Sequence, residues 1–458
     1  MKSKLFFFLS FILACFFKSQ IVNIPDTNFK AYLVSDTNIN TNADTEIQLS
    51  EAIAFSGSIN CNNRNISDLT GIQSFTNITS INASYNNLTS LDVSSNIALT
   101  GLYCFGNQIT SLNVSNNTAL QYLLCFNNLI NSLDVSNNLA LNTLSCFSNQ
   151  LTNLDVTKNT ALVSLNCLDN KITSLDVSNN TLLQNLSCDD NLLTSLDVSK
   201  NINLVGLSCY NNQIRSLDVS KNLSLKTLDC YFNKIGSLDV SKNTALTYLH
   251  CGRNFITSLN ISNNILLQDF SCVGDQIGTL DVSKNTALQL LDCRGCGLTT
   301  LDITNNTALT TLLCFANSLT QLNLKNGNNT ILNSMQAFSN SQLTCIQVDD
   351  VTLANSYATA YTWQIDSIAS FSTNCSYTLA TSNDKKIKET MFPNPTHNIA
   401  HFTTNANYVK VYNFLGQKIL EKRETSFIDL SNLRDGIYFI VLFDKYGKEI
   451  IKSKVIKK

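Results

Sequence analysis

Apolar and polar positions repeat along this chain with a period of 21 residues. In the repeat that begins at Leu204 and ends at Ser224, two short apolar groups occur, Leu-x-x-Leu-x-Cys and Ile-x-x-Leu-x-Val, and an asparagine closes each. Alternating apolar residues over a few positions predict a short strand with its apolar side chains turned inward. Because a repeat of 21 residues cannot also hold a helix of three turns, each repeat is predicted to be strand, turn, strand, turn.

One cysteine marks the same position in eleven successive repeats, with no insertion or deletion between them: Cys104, Cys125, Cys146, Cys167, Cys188, Cys209, Cys230, Cys251, Cys272, Cys293 and Cys314. Disulfide frameworks and zinc sites bring cysteines together in clusters, so a strict long period indicates neither. It predicts stacked coils that place the same side chain in the same place, with two parallel sheets on opposite sides of a thin core.

Two columns of asparagine accompany the cysteines. The first comprises Asn96, Asn117, Asn138, Asn159, Asn180, Asn201, Asn222, Asn243, Asn264, Asn285 and Asn306. The second comprises Asn107, Asn128, Asn149, Asn170, Asn191, Asn212, Asn233 and Asn254, and continues through Asp275, Cys296 and Asn317. A chain that turns inward at every corner leaves backbone groups without a strand partner, and a stacked Asn side chain is expected to supply both a donor and an acceptor to them.

This pattern resembles the leucine-rich repeat, Leu-x-x-Leu-x-Leu-x-x-Asn/Cys-x-Leu, with Cys at the third apolar position. The resemblance covers roughly residues 66–348 and implies a solenoid in a mainly β protein. It also explains Cys296, because that family position accepts Asn or Cys, although a reactive thiol there is an alternative. Inward cysteines are expected to be free buried thiols, with scattered disulfides and metal binding as alternatives.

The ends of the chain differ from the repeats. In residues 1–20, Lys2 and Lys4 precede an almost unbroken apolar run from Leu5 to Phe17, which is too short to span a bilayer and predicts a signal peptide. Residues 21–65 are predicted to be a small helical N-terminal cap, with Asp26 capping a helix that runs through Ser35. Residues 349–378 are predicted to cap the other end. Cys345 and Cys375 bracket that cap off the period, so they are the predicted disulfide of an exported chain.

Within the N-terminal cap, one loop has the ligand spacing of a calcium-binding EF-hand. Positions one, three, five and twelve are Asn40, Asn42, Asp44 and Glu51,. It departs from the pattern because Asn replaces the first Asp and Thr45 replaces the glycine of the sharp turn. The alternative is a polar turn of the cap without any metal.

Residues 379–390 are predicted to be a polar linker, and residues 391–458 a separate domain. Alternating apolar runs, separated by glycine turns, predict a small antiparallel β-sandwich. The Phe392-Pro-Asn-Pro395 opening, the Gly416 turn, the Leu433-x-x-Gly-x-Tyr438 stretch and the basic end resemble the C-terminal sorting domain of the type IX secretion system of Bacteroidetes. The resemblance implies export through the periplasm and the outer membrane by that machinery, followed by removal of the tail and release or surface attachment.

Charge and chemistry exclude several functions. Residues 21–383 carry 14 Lys and Arg against 25 Asp and Glu, a net charge of −11, which disfavours nucleic acid because nothing neutralises phosphates. No further segment is long and apolar enough for a transmembrane helix. The sequence holds three histidines and no nucleophile or phosphate-loop motif. His250 and Cys251 are neighbours, but alternation places them on opposite faces of a strand. We therefore expect no enzyme and no cofactor, apart from the calcium alternative.

The two sheets are expected to offer different surfaces. The Val strand presents a uniform column of Asp134, Asp155, Asp176, Asp197, Asp218 and Asp239, whose repulsion is expected to be offset by Lys158, Lys200, Lys221, Lys242 and Lys284,. The position after each Cys varies, and its aromatic members are the predicted ligand-binding residues: Phe105, Phe126, Phe147, Tyr210, Tyr231 and Phe315. Exposed rings suit a glycan or peptide ligand, and the alternative is that the rings stack on one another and stiffen the sheet.

These observations predict an exported, non-enzymatic leucine-rich-repeat protein that binds a protein or glycan, or mediates adhesion, at the cell surface or outside the cell. Two alternatives come from other classes. The first is a structural surface-layer component, in which lateral packing of regular faces is the function. The second is an ice- or mineral-binding protein, which interruptions in the column of threonines disfavour.

Overall fold

A computed structural model of the protein describes residues 20–375, 391–392, 396, 398–413, 417–444 and 449–457. Residues 1–19 of the predicted signal peptide and the predicted linker at 379–390 lie outside the described residues, as do Pro393, Pro395 and Gly416 of the tail motifs. The chain divides into two compact units, Met1–Ser376 and Tyr377–Lys458.

The N-terminal cap contains two helices, α1 at Thr27–Ser35 and α2 at Leu49–Ala54. The Asp26 carboxylate accepts hydrogen bonds from the first-turn amides of α1, as predicted, and its second oxygen accepts the amide and hydroxyl of Ser67. This one side chain therefore both begins the helix and fastens it to the first coil.

The coils stack through a parallel sheet of fifteen strands, which we call the long sheet. Each strand pairs with its equivalent in the next coil, so the 21-residue period of the sequence becomes the register of the sheet. The inward residue of each strand, usually leucine, is buried, and so is each cysteine from Cys104 to Cys314 that follows such a strand. The strands are Ser58–Asn60, Ser80–Asn82, Gly101–Tyr103, Tyr122–Leu124, Thr143–Ser145, Ser164–Asn166, Asn185–Ser187, Gly206–Ser208, Thr227–Asp229, Tyr248–His250, Asp269–Ser271, Leu290–Asp292, Thr311–Leu313, Ser334–Gln336 and Trp363–Gln364.

The opposite side of the coil differs from the expectation of two strands per coil. A second parallel sheet forms only near the C-terminal end, from Thr300–Asp302, Gln321–Asn323, Cys345–Gln347 and Ser370–Ser372. In earlier coils the Leu-Asp-Val segment buries its apolar side chains, as Val135 does, but forms no strand. The Asp134 carboxylate there accepts the Ser136 amide at 2.9 Å. The Asp302 carboxylate accepts the Thr304 amide in the same way beside a segment that is a strand. Burial therefore alternates in this segment whether or not the backbone pairs.

The two asparagine columns also differ from each other. At the corner after the long sheet, Asn128 Nδ2 donates to the carbonyls of Cys104 and Cys125, and its Oδ1 accepts the Ile109 amide. In the other column, Asn180 Nδ2 donates to the carbonyls of Val156 and Asn159 at 2.9 and 2.8 Å. Its buried Oδ1 accepts no hydrogen bond. The predicted double role therefore holds for the corner column, which we call the corner ladder, whereas the other column, the deep ladder, uses its donor alone.

Residues 66–348 contain no α-helix and only two single-turn 3-10 helices, Ile72–Ser74 and Asn329–Ile331. After them, helix α3 at Val351–Thr359 packs beside the last strands. Trp363 closes the core there, and its buried Nε1 donates to the Leu332 carbonyl at 2.7 Å. A disulfide joins Cys345 and Cys375, whose Cα atoms lie 5.9 Å apart.

The described part of the C-terminal unit is one antiparallel sheet of five strands: Met391–Phe392, Ile399–Tyr412, Lys418–Asp429, Gly436–Phe443 and Glu449–Lys457. The long strand Ile399–Tyr412 pairs with three others and its register with Lys418–Asp429 shifts twice. Such irregularities increase strand twist and let a sheet curl over its own apolar face. Val409, Ile428, Ile440 and Val455 are buried in that core. A curled single sheet therefore replaces the predicted sandwich.

Candidate ligand-binding surface

We call the eleven cysteines that repeat every 21 residues, from Cys104 to Cys314, the ladder cysteines. The position after each of them lies just beyond the end of a long-sheet strand, and it carries the predicted ligand-binding residues. Phe105, Phe126 and Phe147 are half-buried and stack face to face, with ring centroids 4.2 Å apart in both pairs. The faces between them are covered, so the expectation that each ring exposes a face to a ligand is wrong here. Stacking between coils, the alternative reading, describes these three residues.

The column of rings is interrupted further along. Tyr210 and Tyr231 stack at 5.8 Å, and Phe315 stacks on Phe338 at 4.5 Å. Between these pairs stand Gly252, Val273 and Arg294. A Cβ atom built on Gly252 would lie 2.5 Å from the backbone of Val273, so no larger side chain fits at that coil without a shift.

This interruption opens a groove of about 770 Å³. Tyr231 and Phe315 stand at its two ends, so the structure brings these two predicted residues to one site and leaves the other four predicted rings outside its lining. The lining comprises Asn212, Tyr231, Phe232, Asn233, Lys234, Arg253, Asn254, Phe255, Val273, Gly274, Arg294, Gly295, Phe315 and Ala316.

Two bulky residues of the groove occupy a strained corner. The position two residues after each ladder cysteine has positive φ, and in neighbouring coils it holds small or turn-forming residues such as Asn211, Gly274 and Gly295. Phe232 and Arg253 instead adopt φ values of 56° and 51°. Bulky residues are rare in this region of backbone space, and such outliers concentrate at functional sites.

The groove is cationic within an acidic solenoid. Lys234, Arg253 and Arg294 are its charged lining residues. Arg294 forms a two-pronged ion pair with Asp292 and lies 5.5 Å from the Phe315 ring centroid. Lys234 Nζ donates to Gln213 Oε1 at 3.2 Å.

Arg253 is exposed, with its guanidinium carbon 6.0 Å from the Phe232 ring centroid, and among the described residues it forms no ion pair. The sequence interpretation missed the convergence of the three cations, because they stand four, two and one residues after their ladder cysteines. The signal that could have found them is the pair of large side chains, Phe232 and Arg253, in a column of small ones.

Beneath the groove, Asp275 and Cys296 interrupt the corner ladder. Asp275 is fully buried and accepts the Asn254 amide at 2.8 Å, while its other oxygen has no hydrogen-bond partner. Burial raises the pKa of this carboxyl to about 6,. Cys296 is also buried, and its thiol donates to the Cys272 carbonyl at 3.2 Å, the acceptor that a ladder asparagine would use.

Comparison with known proteins connects both units to described families. Residues 390–458 match the model of the secretion system C-terminal sorting domain. The solved functional domain of InlJ from Listeria monocytogenes, which includes a cysteine ladder, is 27% identical at a TM-score of 0.62, over 96% of this chain and 100% of that one. The chain is an internalin-like leucine-rich-repeat protein with a secretion-system sorting domain.

Two further comparisons differ in how much of each chain they cover. Internalin J of Listeria monocytogenes serotype 4b is 36% identical over 72 residues, which are 16% of this chain and only 8% of that protein. The crystal structure of an internalin, InlF, of Listeria monocytogenes shares the fold at 22% identity and a TM-score of 0.60, over 72% of this chain and 98% of that one.

The sorting domain assigns this internalin-like protein to the outer-membrane surface or the extracellular medium and implies contact with the secretion machinery. Within the part of the chain that the structure describes, no helix is long and apolar enough to cross a membrane. Folds of this kind are typically non-catalytic.

A network of polar side chains lies on the solvent face of the long sheet. His250 Nε2 lies 2.9 Å from Asp269 Oδ1, and its Nδ1 lies 2.7 Å from the Tyr248 hydroxyl. Burial raises the pKa of Asp229 nearby, and burial together with the Asp229 and Asp269 charges raises the pKa of Tyr248. Cys251 is buried on the opposite side of the strand, as predicted, so the histidine has no thiol to activate.

Burial disfavours the thiolate form of most cysteines in the column. All the cysteines from Cys104 to Cys314 are buried and unpaired. Burial raises the pKa of Cys125, Cys167 and Cys314 to about 12, so almost no thiolate exists near neutral pH. These side chains therefore serve as small apolar core residues.

The uniform aspartate column stabilises its own turns. Hydrogen bonds from Thr157 and Ser178, two residues onward, are the largest cause of the lowered pKa values of Asp155 and Asp176. Lys158 contributes less to Asp155 than these hydrogen bonds do. The lysines do lower the pKa values of the aspartates beside them, in the direction that the prediction requires, and the hydrogen bonds of the local turn lower them further,.

The proposed calcium ligands lie together in one loop but are bonded to each other. Glu51 Oε1 accepts the amides of Thr41 and Asn42, and its Oε2 accepts the Gln48 amide, so this carboxylate caps α2. Asp44 Oδ2 accepts side-chain donors from Asn42 and Gln48. The buried Asn40 directs its Nδ2 to the carbonyls of Val34 and Asp44.

Among the described residues no three His, Cys, Asp or Glu side chains converge as a metal site. Donors of the loop occupy the side-chain oxygens of Asn42, Asp44 and Glu51, which fits the polar turn better than calcium, whereas the buried Asn40 Oδ1 has no hydrogen-bond partner. The metal stays a prediction, which calcium titration of the thermal transition would test.

Proposed function

We propose that this protein binds a ligand, or mediates adhesion, at the outer-membrane surface or in the medium, and catalyses no reaction. The ligand is a protein or a glycan. The observation that carries the proposal is the contrast between the two faces of the coil. Hydrogen bonds within the chain account for the uniform aspartate face. The groove instead exposes Arg253, and it also exposes Phe232 and Phe255 to 46% and 67%, although none of these contributes to the buried core.

In this proposal the predicted ligand-binding rings contact the ligand in two different ways. Tyr231 and Phe315 are the end walls of the groove. Phe105, Phe126, Phe147 and Tyr210 contact ligand through their edges, since stacking covers their faces. A large patch of exposed apolar and charged side chains on a rigid support is a common form of protein interaction site.

The domain organisation belongs to the same proposal. The signal peptide at residues 1–20 directs entry to the periplasm, and residues 66–348 are the binding solenoid between caps at 21–65 and 349–378. The linker at 379–390 leads to the sorting domain, which the secretion machinery removes. A chain that ends at Lys385 is expected to accumulate in the periplasm while the full chain reaches the surface or medium. Appearance of both chains outside the cell would contradict this organisation.

A binding experiment tests the function itself. The exported protein, purified from the cell surface or the medium, is applied to a glycan array and to immobilised extracellular proteins. Saturable binding to at least one of these supports the proposal. Absence of any binding, together with ordered self-association on a surface, would favour the structural surface-layer alternative instead.

A further inference from the structure

We propose that the groove between Tyr231 and Phe315 binds an acidic polysaccharide, a carboxylate of which is held by Arg253. This inference rests on the proposed binding function and specifies its ligand. Three observations carry it: the charge of the groove, its open shape, and the state of its backbone groups.

The charge of the groove selects an anion. Its lining contains Lys234, Arg253 and Arg294 and no carboxylate, whereas the solenoid around it is acidic. Asp292 neutralises Arg294, so Lys234 and Arg253 supply the positive charge of the groove. Arg253 is exposed without an ionic partner among the described residues, so its guanidinium is available for a two-pronged hydrogen bond to a carboxylate,. Elsewhere on the solenoid the aspartate column repels a polyanion, so attraction is confined to this place.

Glycine residues shape the floor on which Arg253 lies. Gly274 has φ of 76°, and a Cβ atom built there would lie 3.5 Å from Arg253 Cγ. A Cβ atom on Gly295 would lie 3.7 Å from the backbone of Gly274. The side chain of Arg253 therefore runs over a surface without side chains, and the groove stays open beside it.

The length of the groove suits a chain-like ligand. Tyr231 and Phe315, at the two ends of the groove, are four coil steps apart, or about 19 Å at the usual spacing of neighbouring strands. Phe232 and Phe255 present exposed apolar surface along this path. Aromatic faces pack against the apolar faces of sugar rings while charged groups hold the substituents.

The backbone of the groove argues for a sugar rather than a peptide. The corner amides of Arg253, Gly274 and Gly295 already donate to the carbonyls of Val273, Arg294 and Phe315 in the next coil. A peptide laid along these corners finds no free main-chain donor there, although extended peptides gain much of their affinity from such bonds. Recognition must come from side chains, as it does for a charged sugar.

The test measures binding of the full exported protein to an oligogalacturonate of defined length, by calorimetry at low salt. Arg253→Gln is expected to weaken binding about tenfold or more, the effect of losing a charge-assisted hydrogen bond. Arg215→Gln is the matched control, because Arg215 is an exposed arginine of the same solenoid outside the groove lining. It is expected to leave the affinity unchanged.

A second variant tests the groove without changing a residue at the strained corner, in case the Arg253→Gln protein misfolds. Phe255→Ala removes an exposed ring, and Leu129→Ala removes an exposed side chain at the same repeat position in a distant coil. Only the first is expected to weaken binding, while both keep the thermal transition of the parent protein.

Four outcomes would overturn the proposal. They are wild-type affinity of the Arg253→Gln protein, equal loss in the Arg215→Gln protein, equal binding of a neutral malto-oligosaccharide, and tighter binding of poly-L-glutamate than of the oligouronate. Each of them leaves the proposed function standing if the array shows another ligand. Absence of binding to any probe would remove both proposals.

Discussion

The coils of Cys104 to Cys209, here called the regular coils, and those of Cys230 to Cys293, the groove coils, share one backbone path. They differ in what the corner after the long sheet carries. Regular coils hold small or turn-forming residues there, such as Asn127 and Asn211, whereas groove coils hold Phe232 and Arg253. The corner ladder is continuous in the first set and broken at Asp275 and Cys296 in the second.

The deep ladder is continuous through both sets of coils. In the groove coils, Asn264 and Asn285 each donate to two carbonyls of the preceding coil. These carbonyls are at the repeat positions to which Asn180 donates in the regular coils. The deep ladder alone is therefore enough to keep the coils in register. The corner above the long sheet is then free to vary, and the recognition surface develops there.

The largest expected effect comes from breaking the deep ladder. Asn180→Ala removes two inter-coil hydrogen bonds, and the buried carbonyls of Val156 and Asn159 keep only their donors within the coil, the amides of Asn159 and Leu162. Loss of two net hydrogen bonds should lower the free energy of unfolding by about 1–3 kcal/mol, measured by chemical denaturation. Asn179→Ala is the control, because Asn179 is exposed and makes one bond, to the Thr157 carbonyl. Equal effects of the two variants would contradict the special role of the deep ladder.

Restoring an asparagine to the corner ladder tests whether the break at Asp275 destabilises the groove coils. In Asp275→Asn, a side-chain amide can donate to the Cys251 and Cys272 carbonyls, as Asn254 does one coil earlier. The folded pKa of Asp275 is raised from 3.8 to about 6. Stability from the protonated carboxyl is therefore present below pH 4 and lost as pH rises through 6.

The repaired protein should gain about 2–3 kcal/mol over the parent at pH 7, with a smaller gain at pH 4. Denaturation curves at the two pH values measure this difference. A gain that is independent of pH would show that Asp275 is not the titrating group.

A smaller effect is expected within the ring stack. Phe126→Ala removes two stacking contacts, to Phe105 and Phe147, and should destabilise the regular coils by about 1–2 kcal/mol,. Phe255→Ala provides the comparison, since that exposed ring of the groove coils should contribute little to stability. If the groove ring mattered more to folding than the stacked ring, the division into scaffold and recognition positions would be wrong.

The smallest effect is expected on the uniform face. Replacing Asp155, Asp176 and Asp197 together by Asn keeps an oxygen that can accept the amide two residues onward,. The thermal transition near neutral pH and the binding of the oligouronate should both stay at their parental values. Loss of binding in this triple variant would place the ligand on the aspartate face.

Much of the fold was predictable because the repeat makes the same prediction in every coil. The N-cap at Asp26 and the two short helices near it follow from local signals. The absence of a second strand in most coils was not predictable from alternation. Val135 is buried without strand pairing, whereas Ile303 is buried beside the strand Thr300–Asp302. The local hydrogen bond from Ser136 or Thr304 to the preceding aspartate is the same in both.

The candidate site was less predictable than the fold. The variable column of rings was visible in the sequence, and two of its members, Tyr231 and Phe315, line the groove. Whether a ring is covered or open depends on its neighbour in the next coil, 21 residues away. Phe126 is covered on both faces because aromatic rings flank it, whereas the site after Tyr231 opens because Gly252 follows it.

By itself, the sequence determined the coil length, the inward side chains, the cysteine and asparagine columns and the presence of a separately folded tail. A periodic pattern of burial has one economical solution, which is to stack identical coils. Only the tertiary structure decided where cations meet. Lys234, Arg253 and Arg294 stand at different offsets in their repeats, so they converge only after stacking turns steps along the chain into short distances between neighbouring coils.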